Sequence, residues 1–225
     1  MTYEWPFDRW NPPNQDTAAF RAERDRCVTE VKAKLAGAAP AIAVSGWGTD
    51  ELSADYMAGV TALAACLAKN KFPLLTGGLG GAMHAVTVSY LQHHGPLAIG
   101  ILPKGSLTRA QAIYQQHFQQ IQFIETQLDA KDSLGRHTHY GPNSRNHVLI
   151  YSGDIIVCLP GGPGSIAEAE MAKDWYKKTA IIAFDPEAAS SKTAELNPWR
   201  AKIKTLEIEL VKSNDVVCSW LLSRP

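Results

Sequence analysis

The stretch from Asp154 to Glu168 sets the tightest limit on what this chain can fold into. An apolar run, Ile155 to Leu159, stops at Pro160. Gly161, Gly162 and Gly164 follow, and Ser165 opens a segment of helical spacing. A short apolar run, a glycine turn and a helix start make up the βα half of a parallel unit. Turn glycines let a ligand approach the main chain closely. A helix N-terminus adds free N–H groups and partial positive charge. The expected guest is an anion, a phosphate above all. Ser165 and Glu168 also have the spacing of a capping box, with Ser165 as N-cap and Glu168 reaching back to it. Three glycines and a proline are more than such a cap requires.

The same grammar runs through the chain. A helix from Asp16 to about Leu35 leads to a strand at 41–45 and the turn Gly46-Trp47-Gly48. A helix capped by Thr49 or Ser53 runs to about Lys69. A strand at 72–76 then meets a second turn containing Gly77, Gly78, Gly80 and Gly81. Further expectations are a helix from Ala82 to about His93, a strand at 97–102, a helix over 107–119 and a strand at 121–125. A polar loop at 126–142 suits a lid or an oligomer contact. Asn143 or Ser144 caps a helix to about Tyr151, and the central strand occupies 154–159. A strand at 180–184, a polar loop at 187–195, a helix from Pro198 to about Lys212 and a last strand at 216–218 complete the chain. Residues 1–15, rich in proline and aromatic residues, read as an arm.

The strands lack the period-2 alternation of a half-exposed sheet, so both faces are expected to be covered. The fold class is therefore α/β: one Rossmann-like, doubly wound, mainly parallel sheet with helices on both faces. Ligands of such sheets sit beyond the carboxyl ends of the strands. All three glycine turns should crowd one site. A chain of 225 residues with 45% hydrophobic content suits a single domain with an ample core.

Lys and Arg number 22, as do Asp and Glu, so no global charge draws nucleic acid or an anionic membrane. The expected partner is a small molecule, with neither nucleic acid nor membrane. No apolar run reaches the roughly 20 residues of a membrane span, and the N-terminus lacks a secretory pattern, so a cytoplasmic place is expected. Cys27, Cys66, Cys158 and Cys218 are far apart and read as buried free thiols. His93 and His94 close a helix. His137, His139 and Tyr140 lie in the polar loop, where a contact to a ligand's base is favoured over a metal. Lys173, Lys177 and Lys178 read as a solvated face. Neither GxGxxG nor GxxxxGK[ST] is present, which argues against a P-loop triphosphatase.

Several motifs in order resemble the lysine-decarboxylase-like family, which includes cytokinin-activating nucleotide phosphoribohydrolases and molybdenum-cofactor carrier proteins. Pro160-Gly-Gly-Pro-Gly-Ser-Ile-Ala-Glu168 is similar to that family's PGGxGTxxE, with Ser165 for threonine. Arg145 stands at the matching upstream offset. Thr76-Gly-Gly-Leu-Gly-Gly-Ala-Met83 resembles GGGxxGLM, Gly100-Ile-Leu-Pro-Lys104 resembles GVIPK, and Ser45-Gly46 matches a Cys/Ser-Gly turn.

The resemblance implies a cofactor-free, metal-free hydrolase that cleaves the N-glycosidic bond of a nucleoside 5′-monophosphate to free base and ribose 5-phosphate. It also implies a homodimer or larger homo-oligomer. Glu168 would face the ribose, where positive charge develops, and Arg145 would hold Glu168 ionised and touch phosphate or base. The phosphate would lie on Gly161, Gly162, Gly164 and Ser165, with Gly80 and Gly81 nearby. Gly46, Trp47, Gly77, Gly78 and Met83 would complete the nucleotide site, Trp47 by stacking on a base. Asp50 and Glu51 could meet ribose hydroxyls. The alternative is a binder without turnover, such as a carrier of a pterin cofactor. Asn146, where the hydrolases have lysine, and Ala167, where they often have a second glutamate, lean that way. Amino-acid decarboxylation finds no lysine in a Schiff-base setting.

Overall fold

The computed structural model describes residues 18–48, 51–128, 145–186 and 193–224, with the side chains of 193–197 set aside. The aromatic arm, the caps expected at Asp16, Thr49, Asn143 and Ser144, and Asp50, His137, His139 and Tyr140 lie outside the described residues.

The elements alternate as expected. In order they are α1 (Ala18–Lys34), β1 (Ile42–Ser45), α2 (Ala54–Lys69), β2 (Leu74–Thr76), α3 (Ala82–Gln92) and β3 (Ala98–Leu102). Next come α4 (Leu107–Tyr114), β4 (Ile121–Glu125), α5 (Asn146–Ser152), β5 (Ile155–Cys158), α6 (Pro163–Glu170) and β6 (Ile181–Phe184). Last are α7 (Thr193–Thr205), β7 (Leu210–Val211) and α8 (Asn214–Leu222). The sheet order is β4-β3-β2-β1-β5-β6-β7, and every pairing is parallel.

Successive side chains of a strand point to opposite faces, and the burial follows that rule. Ala43, Ile156, Cys158 and Ala183 pack with Cys27 and Val31 of α1, Leu149 of α5, Ile166 of α6 and Trp199 of α7. Ile42, Val44, Val157 and Phe184 pack on the other face with Leu63 of α2, Val86 of α3, Ala110 of α4 and Val217 of α8. Both faces are therefore covered over β1, β2, β3, β5 and β6, which is why those strands show no polar alternation, whereas the edge strand β4 leaves Gln122 exposed. The chain winds outward from β1 to β4, returns beside β1 as β5, and winds the other way. The order reverses between β1 and β5, and the crevice beyond their carboxyl ends is where such sheets take ligands.

Several expectations need correction. The helix after β5 starts at Pro163 rather than Ser165. Gly162 is its N-cap without a side-chain bond, and proline at the first position suits a residue with no N–H to satisfy. The capping box is therefore absent. The helix over 107–119 is α4 followed by a 3-10 turn, Gln115–Gln120. The segment 216–218, expected as a strand, lies within α8, because Val217 and Leu221 fill the core against α2. The last strand is instead β7, within the expected last helix, and α7 begins before Pro198. Ser53 does cap α2, accepting a 3.1 Å bond from the Tyr56 N–H.

The thiols also differ from expectation. Cys66 and Cys218 form a disulfide joining α2 to α8, with Cα atoms 6.2 Å apart, while Cys27 and Cys158 are free and buried. Spacing along the chain could not reveal a pair 152 residues apart. Lys178 is more than a solvated face. It donates to the carbonyls of Tyr151 and Gly153 at 3.1 and 2.6 Å, and burial lowers its pKa. Among the described residues no helix is long and apolar enough to cross a membrane.

Candidate functional site

The cleft at the β1/β5 reversal is built by main-chain locking of its turns. The Leu159 N–H donates to Ser45 O at 2.9 Å, and the Ala82 N–H, opening α3, donates to Trp47 O at 2.7 Å. The Tyr56 hydroxyl on α2 donates to Pro160 O at 2.9 Å. Gly46 sits where these elements converge. A Cβ there would lie 2.8 Å from the Tyr56 hydroxyl and 2.9 Å from the Ala82 Cβ.

The cleft has a volume of about 320 Å³ and is lined by Gly46, Trp47, Gly48, Met83, Arg145, Asn146, Gly162, Pro163, Gly164, Ser165 and Glu168. Larger cavities of about 650 and 590 Å³ lie elsewhere, beside Pro40 and Ile155 at the strands' amino ends and between α2 and α3. Neither gathers a buried ion pair and a helix N-terminus, so we take the smaller cleft as the site.

Eight of the residues singled out in the sequence line this cleft: Gly46, Trp47, Met83, Arg145, Gly162, Gly164, Ser165 and Glu168. The other five stand back from it. Gly161 is packed against the Ser165 side chain, and Gly77 lies against Arg145 and Met83 with no room for a Cβ. Gly78 faces Gly100 and Leu102, Gly80 is buried, and Gly81 opens onto the groove between α2 and α3. The second glycine turn thus serves the site through Gly77 and Met83 rather than as a phosphate cradle. Glu51 is exposed and outside the lining. Gly48, Pro163 and Asn146 belong to the lining without having been placed in the site from sequence. Their signals were the first glycine turn for Gly48, the Pro160–Glu168 motif for Pro163, and the place beside Arg145 for Asn146.

Arg145, at the cap of α5, and Glu168, on α6, meet across the cleft with Nη1 to Oε1 at 3.3 Å. Their side chains are 13% and 6% exposed, so this is a buried pair. Arg145 Nη2 also lies 3.7 Å from the Met83 sulfur. Burial pushes the Glu168 carboxyl up to about 7, outweighing the charge and hydrogen bond of Arg145 and the pull of the Ser45 hydroxyl beside it. Burial likewise lowers the Arg145 pKa. The partner expected at Arg145 is there and favours the ionised carboxylate, while burial opposes it and sets the direction of the shift. Beneath them the Cys158 thiol is pushed up to about 12 by burial and by Glu168, so it is no nucleophile.

Ser165 stands in the first turn of α6, where N–H groups have no acceptor within the helix. Its hydroxyl is buried and makes no hydrogen bond among the described residues. Ala167, by contrast, is wholly buried in the core beneath α6. Among the described residues no cluster of three or more His, Cys, Asp or Glu is placed to hold a metal.

This fold and cleft define a Rossmann-like protein with a ligand crevice at the sheet's reversal. The chain belongs to the SLOG cluster4 family, whose model matches residues 39–211. Among curated proteins none matches. Of the solved structures, the molybdenum cofactor binding protein from the phototrophic bacterium Rippkaea orientalis is similar, at 21% identity over 82% of this chain and 96% of that one, with a TM-score of 0.57. The molybdenum cofactor carrier protein of Chlamydomonas reinhardtii is 19% identical over 82% of this chain and 99% of its own, with a TM-score of 0.54. DNA processing protein A from Helicobacter pylori, described for its single-stranded DNA binding mode, is 17% identical over 84% and 83%, with a TM-score of 0.60.

The likeness to the molybdenum-cofactor proteins agrees with the superfamily resemblance in the motifs. The likeness to DNA processing protein A corrects the exclusion of nucleic acid. That exclusion rested on zero net charge, which sums the whole chain and says nothing about one local groove. A protein of similar fold, described for its single-stranded DNA binding mode, shows that the fold does not exclude nucleic acid.

Proposed function

We propose that the cleft binds a phosphate-bearing, nucleotide-like small molecule, with its phosphate on Gly162, Gly164 and Ser165 beside Arg145 and its ring system against Trp47. The observation that carries this reading is the Ser165 hydroxyl. It lines the cleft at 2% exposure and makes no hydrogen bond among the described residues. A buried polar group left unpaired costs about 1–3 kcal/mol, and a phosphate oxygen at the start of α6 removes that cost. The helix N-terminus and the Arg145 guanidinium both favour an anion there. Titration calorimetry with nucleoside monophosphates, ribose 5-phosphate and a pterin phosphate tests it. Binding of one of them that weakens about tenfold or more in Ser165→Ala supports the reading. No binding of any refutes it.

A second reading, N-glycosidic hydrolysis, draws support from the Arg145–Glu168 pair inside the same cleft. A carboxylate beside the ribose can stabilise the cationic transition state and orient water. On the other side, Ala167 is packed in the core and Asn146 stands where the hydrolases carry lysine. Release of free base and ribose 5-phosphate, abolished by Glu168→Gln, would establish turnover. Tight binding with no release leaves the protein a carrier or sensor.

A further inference from the structure

The cleft holds a cation already committed to an internal partner. Arg145 is the guanidinium a phosphate would meet, and Glu168 is its paired carboxylate among the described residues, at 3.3 Å. Both groups line the same 320 Å³ space and both are nearly buried. An anion entering that space faces an ionised Glu168 at short range in a poorly hydrated setting, where like charges repel strongly. It also competes with Glu168 for the same guanidinium. With Glu168 protonated, both obstacles vanish: the cleft's net charge rises by one and Arg145 turns to the ligand.

We propose that the protein takes up its phosphate-bearing ligand together with one proton, carried by Glu168, so that affinity falls as pH rises. This rests on the phosphate-binding reading given above and adds a property that reading does not require.

Among the described residues, the groups facing Glu168 leave it as the titrating centre. From the cap of α5 there is Arg145, its pKa lowered by burial and held up by Glu168. From β1 there is the Ser45 hydroxyl, and from β5 the Cys158 thiol, which titrates only near 12. Tyr114 of α4, facing Arg145, also titrates near 12. Burial already pushes the Glu168 carboxyl up to about 7, and a bound anion pushes it higher. By linkage, the ligand raises the proton's affinity by the same factor that the proton raises the ligand's. The protonated fraction of a group titrating near 7 falls about tenfold between pH 6 and pH 8, and the ligand's affinity falls with it.

The experiment is calorimetry of AMP and of ribose 5-phosphate binding between pH 6 and 8.5, in buffers of different ionisation enthalpy, on the wild type and Glu168→Gln. The phosphate's own titration is common to both proteins and cancels in the comparison. The expected result is about tenfold weaker binding at pH 8 than at pH 6, beyond the change in Glu168→Gln, with one extra proton taken up near pH 8 by the wild type alone. Carbon-13 NMR of the Glu168 carboxyl reads the same proton without a substitution, and its midpoint must rise when AMP is added. Binding with the same pH profile and proton count in both proteins, or an unmoved midpoint, overturns the proposal and leaves phosphate binding standing. No binding at any pH of AMP, ribose 5-phosphate, the other nucleoside monophosphates or a pterin phosphate removes the phosphate reading and this inference with it.

Discussion

Glu168→Gln should make the protein more stable at alkaline pH while taking away the one acid among the described residues that lines the cleft. The carboxyl is raised from its ordinary 4.5 to about 7 by burial. Because the folded state holds this proton to a higher pH than the unfolded chain, the associated stability is fully present below about 4.5. It is lost as pH rises through about 7. The difference between 4.5 and about 7 corresponds to about 3 kcal/mol. That figure is already net of the Arg145 attraction, and with Glu168 only 6% exposed it needs no correction for solvent screening. Glutamine has the shape of the protonated acid and never ionises. The variant should therefore match the wild type near pH 4.5 and exceed it by about 3 kcal/mol at pH 8. Urea unfolding of both proteins at several pH values between 4.5 and 8.5 reads the difference directly, since every other titrating group is shared. Parallel stability curves would refute the claim that burial outweighs Arg145. A variant losing ground as pH rises would show the opposite, an ion pair that stabilises.

Other expectations are simpler. Gly77→Ala drives a methyl into the Arg145 guanidinium and the Met83 side chain. It should cost AMP affinity at least tenfold while circular dichroism stays unchanged; unaltered affinity would show that Arg145 is not needed. Gly46→Ala meets Tyr56, Ala82 and Leu159 at 2.8 to 3.1 Å. It should lower stability by about 1–3 kcal/mol in denaturant unfolding, as overpacking does. Trp47→Ala should weaken nucleoside monophosphates more than ribose 5-phosphate, because only the former carry a ring to stack. Equal losses for both would remove Trp47 from base contact.

Much of the site was legible because its residues act through local chemistry. Pro160 to Gly164 announce a strand ending in a turn, and Ser165 and Glu168 share the helix that follows. Arg145 followed from an offset in a known motif. What escaped depends on sums over distant elements. The start of α6 was misplaced by two residues because a capping box and a proline at the first helical position compete, and proline prevailed. Val216, Val217 and Cys218 favour strand by propensity, yet packing of Val217 and Leu221 makes them helix. β7 spans only Leu210 and Val211, too short to show a pattern. The upward shift of the Glu168 carboxyl could not be read from sequence, because its partner is visible in a motif whereas desolvation is the work of the whole neighbourhood.

The locks around the cleft have an evolutionary consequence. Leu159 to Ser45 and Ala82 to Trp47 are ties between peptide groups, and no side chain takes part. Exchanging the side chains at 47 or 83 therefore leaves these two ties in place while reshaping the cleft wall. On the binding reading proposed above, a frame tied through its peptide groups lets the rim of the cleft change its ligand without loss of the fold.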